Sequence, residues 1–249
     1  MKQAIQASLM SDGCRMHLHN GPIDLIIEAF GPRKEVLTSY RQGTEAFEGC
    51  LEKLVDELPL LRSPITELEA ELNGVVAKKM VAAVSPHREA FVTPMAAVAG
   101  AVADTILTAM IDGRTVSRAY VNNGGDIALH LTPGEKLRTG MVTDLKESGV
   151  DGLIEIQFEA PVRGIASSGW SGRSFSLGIA DSVTVLAKSA AAADVAATLI
   201  ANAVDVDHVA VARTPAREMD PDSDLDNRLV TVGGGTLEEE YIEVALQSG

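Results

Sequence analysis

The stretch AYVNNGGDIALHL, residues 119–131, decides the fold. Apolar residues at both ends have the character of strands, and the five residues between them are Asn122, Asn123, Gly124, Gly125 and Asp126. Because Asn and Gly tolerate positive φ, this sequence predicts a tight hairpin turn. Five such residues are more than a minimal hairpin needs, and Gly lacks the Cβ that would keep a ligand away from backbone amides. The stretch therefore predicts either a plain turn or a turn that binds a ligand.

Length and composition limit the class of protein. The chain has 249 residues, 46% of them hydrophobic, which excludes a disordered chain and suffices for one large core or two small ones. The formal charge of −14 argues against nucleic acid or an anionic membrane as partner, because their phosphates would be repelled. A small phosphate ligand remains compatible with that charge, since amides and a metal can hold it locally.

Cysteine content and apolar runs indicate the cellular compartment in which the protein is expected. Cys14 and Cys50 are far apart and form no CxxC motif, which favours a reduced, cytosolic chain over a disulfide scaffold or zinc site. The N-terminal residues contain no apolar region typical of a signal peptide. The run from Met95 to Ile111 is split by Asp104 and is too short for a bilayer. We therefore expect a soluble, cytoplasmic protein without membrane contact.

The first thirty residues alternate between apolar and polar in the manner of strands. Strands are predicted over 5–9, 15–19 and 23–30, with a turn at Asn20-Gly21-Pro22. His17 and His19 share one strand face, and two His at this spacing can ligate a metal. An exposed strand face is the plainer interpretation, since no third ligand is evident.

Two helices and one strand are predicted between residues 34 and 111. Residues 34–58 predict an amphipathic helix, because apolar residues recur at helical spacing, and Leu58-Pro59 ends it. Val75–Val84 is predicted as a strand. Thr93-Pro94 predicts the start of an Ala-rich helix over 94–111, with Thr as N-cap and Pro at the first helical position.

The second half predicts strands around one further helix. Ser189 is the expected N-cap of an Ala-rich helix over 190–204. Strands are predicted over 115–131 (as strand–turn–strand), 138–146, 150–159, 179–186 and 209–212, with a terminal hairpin of 228–232 and 241–246 around Gly233-Gly234-Gly235.

The two Ala-rich helices resemble each other. The first contains Asp104 and Thr108 and the second Asp194 and Thr198, so each puts a carboxylate and a hydroxyl on one helical face. An internal pseudo-duplication, with two β–α–β-like halves, explains this echo. Chance similarity between Ala-rich helices is the alternative.

Asp194 lies among Ala and Val on a helix that should be largely buried, and it is not at the helix start, so N-capping of its own helix does not explain it. A buried carboxylate needs a partner. Carboxylate and hydroxyl oxygens, here from Asp194 and Thr198, suit Mg²⁺, which often bridges to phosphate. Alternatively, Asp194 faces solvent at an edge of the helix or forms a hydrogen bond with a neighbouring loop.

Four motifs, in a fixed order, resemble the ApbE-type flavin transferases, and the chain is similar to a divergent, shorter, cytosolic branch of them. The motifs are AVAGAVAD (97–104), VNNGGDI (121–127), GIASSG (164–169) and SVTVLAKSAAAADVAAT (182–198). The resemblance is strongest over residues 94–204. It implies one α+β domain over 1–249 with a T-fold-like architecture, in which antiparallel sheets pack around two long Ala-rich central helices.

The resemblance also implies a ligand site. In that family FAD lies against the GGD turn and the small-residue loop, and the last helix holds Mg²⁺. Carried over by motif, Asp194 and Thr198 would hold the metal, and a backbone carbonyl near Ala96 to Ala99 would complete its site. The residues implied for the cofactor are Asn122, Asn123, Gly124, Gly125, Asp126, Ser167, Ser168 and Gly169.

The sequence departs from that family in two places. The family's Lys before Gly is Ala99 here, and the family's His-containing loop before SVTV has no counterpart. Trp170 to Asp181 fills that space, and Arg173 is the only cation within it. Since flavin transfer needs phosphate positioning and a proton acceptor, no catalytic residue is assigned.

Three functions are compatible with these features. The first is an ApbE-like protein that binds a small-molecule dinucleotide, FAD or a related nucleotide, with Mg²⁺; as an enzyme it would perform phosphoryl chemistry, as a flavin transferase does. The second is a non-catalytic protein of the same fold with a degenerate site and an assembly role. The third is an unrelated small-molecule enzyme with His87 or His130 as base. The acceptor and homo-oligomerisation stay open.

Overall fold

A seven-stranded antiparallel sheet is the largest element of a mixed α+β fold in the computed structural model, which describes residues 5–141, 152–172 and 174–249. The strands are β1 (Gln6–Leu9), β2 (Met16–Asn20), β3 (Ile23–Phe30), β4 (Arg118–Asn123), β5 (Asp126–Leu131), β6 (Lys136–Met141), β7 (Gly152–Gln157), β8 (Gly164–Ser168), β9 (Val183–Ala187), β10 (Val211–Pro215) and β11 (Leu229–Gly234). The sheet order is β1-β2-β3-β4-β5-β8-β9, while β6–β7 and β10–β11 form two-stranded sheets.

Helices cover one face of the large sheet, called here the inner face. The helices of the described residues are α1 (Arg33–Phe47), α2 (Cys50–Asp56), α3 (Leu58–Leu61), α4 (Val75–Val84), α5 (Val98–Ile111), α6 (Ala190–Ala203), α7 (Ala216–Met219) and α8 (Glu239–Ser248), and α1, α5 and α6 make the main contacts with the large sheet. The α5 helix packs on β4 and β5, and α6 packs on β8 and β9. The α+β class predicted from the sequence is confirmed.

The β4–β5 hairpin forms at the stretch that predicted it. Asn123 pairs with Asp126 across the turn, and Gly124 and Gly125 have φ of 65° and 116°, conformations that side chains with a Cβ adopt rarely. Because side chains alternate along a strand, Val121 points to the inner face and Asn122 to the opposite, outer face. The hairpin therefore offers different side chains to the two faces of the sheet.

The helices α5 and α6 cross in close contact. A Cβ at Gly100 would overlap the backbone of Ala190, so this crossing requires glycine. Among the described residues, Pro94–Ile111 is the one helical segment whose length and mean hydropathy of 1.6 would allow it to span a bilayer, and half of it is buried in the fold. Length therefore does not exclude a span, contrary to the prediction, but the packing is that of a core helix.

The outer face of the sheet is partly covered by the β6–β7 hairpin. Leu129 and Leu131 of β5 pack against Leu137 of β6 and Ile156 of β7 in a separate apolar cluster. Residues 142–151, which include parts of the predicted strands 138–146 and 150–159, lie outside the described residues. The described parts of both predicted strands are β6 and β7, but they pair only with each other, because β8 takes the place beside β5; among the described residues the predicted meander is therefore wrong and a separate hairpin is present.

Two predicted elements have the wrong secondary structure. Val75–Val84 is the helix α4 and not a strand: Val76, Met80 and Val84 are buried at a spacing of four, which is a helical period. Residues 241–246 lie in the helix α8, so the terminal hairpin is wrong as well. Strand β11 pairs with β10 instead.

Other boundaries shift for local reasons. The predicted helix 34–58 is broken because Gly49 adopts a φ of 71°, which ends α1 and starts α2. Thr93 does not cap its helix with its side chain; its hydroxyl donates a hydrogen bond to Asp224. Ser189 does cap α6 as predicted, accepting a hydrogen bond from the amide of Ala192 at 3.2 Å.

Candidate functional site

Two carboxylates distant in sequence meet on the inner face. Asp126 begins β5 and points to the same face as the buried Ala128, where α5 and α6 lie. Asp194 lies one turn into α6, and the charge of Asp126 acts directly on it. Both residues are partly buried.

The pair is electrostatically unfavourable when both groups are ionised. Burial raises the pKa of Asp126 to about 7, and a hydrogen bond from the Ser167 amide opposes this rise. Burial, and then repulsion by Asp126, raise the pKa of Asp194 well above its usual range. No lysine or arginine of the described residues is among the charges that act on either group. A proton or a cation is therefore needed between them.

Backbone amides of α5 partly satisfy Asp194. The Gly100 N–H donates to its Oδ2 at 2.9 Å, and the Ala99 amide also donates to this carboxylate. Of the alternatives that the sequence left open, a hydrogen bond to a neighbouring segment is thus present. These hydrogen bonds do not cancel the electrostatic repulsion between the carboxylates of Asp194 and Asp126.

A hydrogen bond connects the Asn-Gly turn to the N-terminal end of α5. The Asn123 side-chain amide donates to the Ala99 carbonyl at 3.1 Å, and Asn122 accepts from the Gly125 amide at 2.8 Å. Gly124 and Gly125 are exposed. Asn122 points to the outer face, whereas Asn123 and Asp126 point to the inner one. The structure therefore gathers only part of the predicted turn residues at the carboxylates.

The small-residue loop contributes mainly through its backbone. Ser167 donates its amide to Asp126, and its hydroxyl lies 2.8 Å from that of Thr184 on β9. A Cβ at Gly169 would overlap the carbonyl of Asp181, so this glycine serves a close chain crossing. Ser168 pairs with Val183 at the end of β8.

The remaining predicted site residues have simpler positions. Thr198 is half-buried and lies one turn after Asp194 on the same helical face. His87 ends a 3-10 turn, and His130 lies on β5, four residues after Asp126. Arg173 lies outside the described residues.

A cavity of about 650 Å³ opens on the outer face between the sheet and β6. Its side chains include Glu28, Arg118, Tyr120, Asn122, Lys136 and Arg138. The Tyr120 hydroxyl donates to Glu28 at 2.8 Å, and the Arg118 guanidinium lies 3.9 Å from the ring centre of Phe30. Sequence analysis missed this cavity, because it arises where β6 folds over the sheet.

A second cluster that the sequence only half identified lies on β2 and β3. Asp24 joins His17 and His19, with its Oδ1 2.8 Å from Nε2 of His17. The register of the β2–β3 hairpin could have revealed it: a two-residue turn at Gly21-Pro22 pairs Asn20 with Ile23 and thereby His19 with Asp24.

A protein-family model matches almost the whole chain, and individual relatives match between about half and four fifths of it. The family model described as "AbpE bacteria" matches residues 7–249. A UPF0280 protein of Methanopyrus kandleri is 34% identical over 209 residues, which cover 81% of this chain and 80% of that protein. A UPF0280 protein of Methanothrix thermoacetophila is 41% identical over 47% of this chain and 48% of its own length. One of Methanothermobacter thermautotrophicus is 35% identical over 61% and 59%.

Proposed function

Because the chain belongs to the AbpE bacteria family, we propose that it is an ApbE-like, T-fold protein that binds FAD or a related nucleotide with Mg²⁺ at the Asp126–Asp194 pair. The single observation that carries the proposal is the meeting of these two carboxylates without a neighbouring cationic side chain in the described chain. Two like charges held together in a partly buried place indicate a site built for a cation.

The donor set fits Mg²⁺. This ion prefers oxygen ligands, takes one or two carboxylates from the protein and keeps several waters. Asp126 and Asp194 would supply the carboxylates, and Thr198 a hydroxyl or a water-mediated contact. The Ala99 carbonyl, which accepts from Asn123, has a second lone pair.

The nucleotide phosphates would lie between the metal and the Gly124–Gly125 turn. Mg²⁺ supplies positive charge that neutralises phosphate, and the exposed glycine amides offer donors without a Cβ in the way. An acidic protein can therefore bind an anionic ligand locally, because solvent and salt screen the repulsion from its more distant acidic side chains.

Catalysis requires groups beyond the metal and phosphate contacts. Ala99 stands where the resembling transferases have Lys, and no base is assigned for an acceptor hydroxyl. Phosphoryl chemistry on a dinucleotide is the reaction class that fits a Mg²⁺–phosphate site. A non-catalytic nucleotide-binding protein of the same fold is the second candidate, favoured by the missing Lys.

The experiment is a calorimetric titration of FAD into the protein with and without Mg²⁺. We expect binding only with Mg²⁺, and its loss in Asp194→Asn. Asp104→Asn is the control for loss of a helix-capping carboxylate, because Asp104 accepts amides of α6 in the way that Asp194 accepts amides of α5, and its charge acts on Asp194 less than that of Asp126 does. Mg²⁺-independent binding, or Asp194→Asn behaving like wild type, would overturn the metal-bridge proposal; absence of binding in both conditions would overturn flavin binding.

The outer cavity is a second place where part of such a ligand would fit. Its volume lies within the usual range for small-ligand sites, and Arg118 and the apolar Phe30 suit an anionic or aromatic group. If the cavity takes the ligand, Arg118→Ala will weaken FAD binding while Asp194→Asn leaves it unchanged. The two variants therefore distinguish the two faces of the sheet.

A further inference from the structure

We propose that His17, His19 and Asp24 form a binding site for a first-row transition cation such as Zn²⁺ on the outer face of the sheet. The proposal is independent of the nucleotide site. His17 and His19 lie on β2, and Asp24 lies opposite His19 on β3. One nitrogen from each imidazole and one carboxylate oxygen all lie within 4.8 Å of one another.

The distances between the donor atoms suit a common ion. His17 Nε2 lies 2.8 Å from Asp24 Oδ1, and His19 Nδ1 lies 3.5 Å from Asp24 Oδ2. Ligands about 2.0–2.1 Å from a zinc ion stand roughly 3–3.5 Å apart in tetrahedral or octahedral geometry. The two measured distances therefore match the spacing of ligands around one ion, and all three donor atoms lie within 4.8 Å of one another.

An unpartnered atom points at the same place. Nδ1 of His19 is fully buried and makes no hydrogen bond to any described residue. A buried ring nitrogen without a partner is unfavourable, and a metal ion satisfies it. The side chains remain accessible as a group, with 37–42% of their surface exposed, so an ion can enter from solvent.

The chemistry of the donors separates this cluster from the inner site. Two imidazoles and one carboxylate suit Zn²⁺, Co²⁺, Ni²⁺, Cu²⁺ or Fe²⁺, whereas an all-oxygen set suits Mg²⁺. The cross-strand row His17–Ile26–Asn122 places His17 two strands, or about 10 Å, from the hairpin. The sheet itself lies between the cluster and the Asp126–Asp194 pair. Three protein ligands leave open positions for water or a further ligand.

The alternative is a surface hydrogen bond between His17 and Asp24 with His19 as bystander. That arrangement explains the 2.8 Å contact. It leaves Nδ1 of His19 buried, 3.5 Å from Oδ2 of the same carboxylate and without a hydrogen bond. Metal titration distinguishes the metal site from the surface hydrogen bond, because only the metal site requires His19.

The test is a calorimetric titration of Zn²⁺ into the tag-free full chain, with Mg²⁺ present in excess to occupy oxygen sites. We expect one Zn²⁺ per chain, and at least ~10-fold weaker binding in His19→Ala and in Asp24→Asn. His87→Ala is the matched control, because it removes a histidine outside the cluster, and it should bind as wild type. Circular dichroism without Zn²⁺ establishes that each variant is folded, and His17→Gln is the replacement if His19→Ala does not fold.

Several outcomes overturn the proposal. They are no Zn²⁺ binding by the wild-type protein, wild-type affinity in both His19→Ala and Asp24→Asn, or an equal loss in His87→Ala. Asp194→Asn should bind Zn²⁺ as wild type does; loss of Zn²⁺ binding in that variant would place the ion at the inner pair. FAD binding has no part in this readout, so failure here leaves the nucleotide proposal untouched.

Discussion

Asp104 and Asp194 each accept hydrogen bonds from backbone amides in the first turn of the helix that carries the other. Asp104 on α5 accepts the amides of Ala190 and Ala191 at 3.0 Å, and Asp194 on α6 accepts the Gly100 amide at 2.9 Å. The two carboxylates thus cap the two helices reciprocally, across the crossing at Gly100. This relationship gives a structural reason for the sequence echo between the helices, and pseudo-duplication remains a prediction.

The reciprocal caps make Asp104→Asn and Asp194→Asn an informative pair. Each loses charged hydrogen bonds to helix amides, which costs about 1–2 kcal/mol of unfolding free energy. Asp194→Asn removes the repulsion from both Asp126 and Asp104, whereas Asp104→Asn removes only the weaker repulsion between Asp104 and Asp194, so more of the cost is offset in Asp194→Asn. Thermal unfolding without Mg²⁺ should therefore find Asp104→Asn the less stable variant. A clearly larger loss in Asp194→Asn would contradict the idea that the pair is strained.

Mg²⁺ should stabilise the wild-type protein and Asp104→Asn but not Asp194→Asn. An ion that binds only the folded state adds about 2.7 kcal/mol at a concentration of 100 Kd. The measurement is the shift in melting temperature on adding Mg²⁺, with the same concentration of K⁺ as control for ionic strength. Equal shifts in all three proteins would indicate binding elsewhere.

Stability without metal should rise on acidification through neutral pH. The pKa of Asp126 is about 7 in the folded protein, above its ordinary value of 3.8, so the folded state binds the proton more tightly. The contribution is complete below pH 3.8 and is lost as pH rises through about 7. Asp126→Asn should flatten this part of the profile, measured by urea unfolding between pH 5 and pH 8. An unchanged slope in the variant would contradict the assignment.

Gly100→Ala should destabilise the protein, because the added methyl group would overlap the backbone of Ala190. Overpacking of this kind costs about 1–3 kcal/mol of unfolding free energy. Gly234→Ala is the control, since a Cβ there meets nothing within 4 Å. Urea unfolding compares the two. Similar stability of both variants would show that the crossing can relax.

The two cysteines should differ in reactivity. Cys14 is exposed, while Cys50 is buried and burial raises the pKa of its thiol to about 11. The thiolate is the reactive form, so iodoacetamide at pH 8 should modify the native protein once, at Cys14. Mass spectrometry gives the number of adducts, and urea should expose the second site. Two adducts on the native protein would mean that α2 opens readily.

Local patterns were sufficient for much of the fold. The Asn-Gly turn predicted the β4–β5 hairpin, and Ser189 predicted the start of α6, because turn and cap preferences act within a few residues. The prediction for Val75–Val84 was wrong, since a short apolar run suits a buried helix as well as a strand. Residues 241–246 were misassigned for the same reason.

The sequence by itself determined the hairpin, the Ala-rich helices and the residue types available for a site. Only the tertiary structure decided which of these residues meet. Asp126 reaches Asp194 because α6 packs beside β5 and β8, and Asp24 reaches His19 through strand register. Asn122 is on the opposite face from Asp126, although the two lie in one turn. Side-chain partners across a sheet depend on register and on helix packing, which bring distant residues together and separate neighbours.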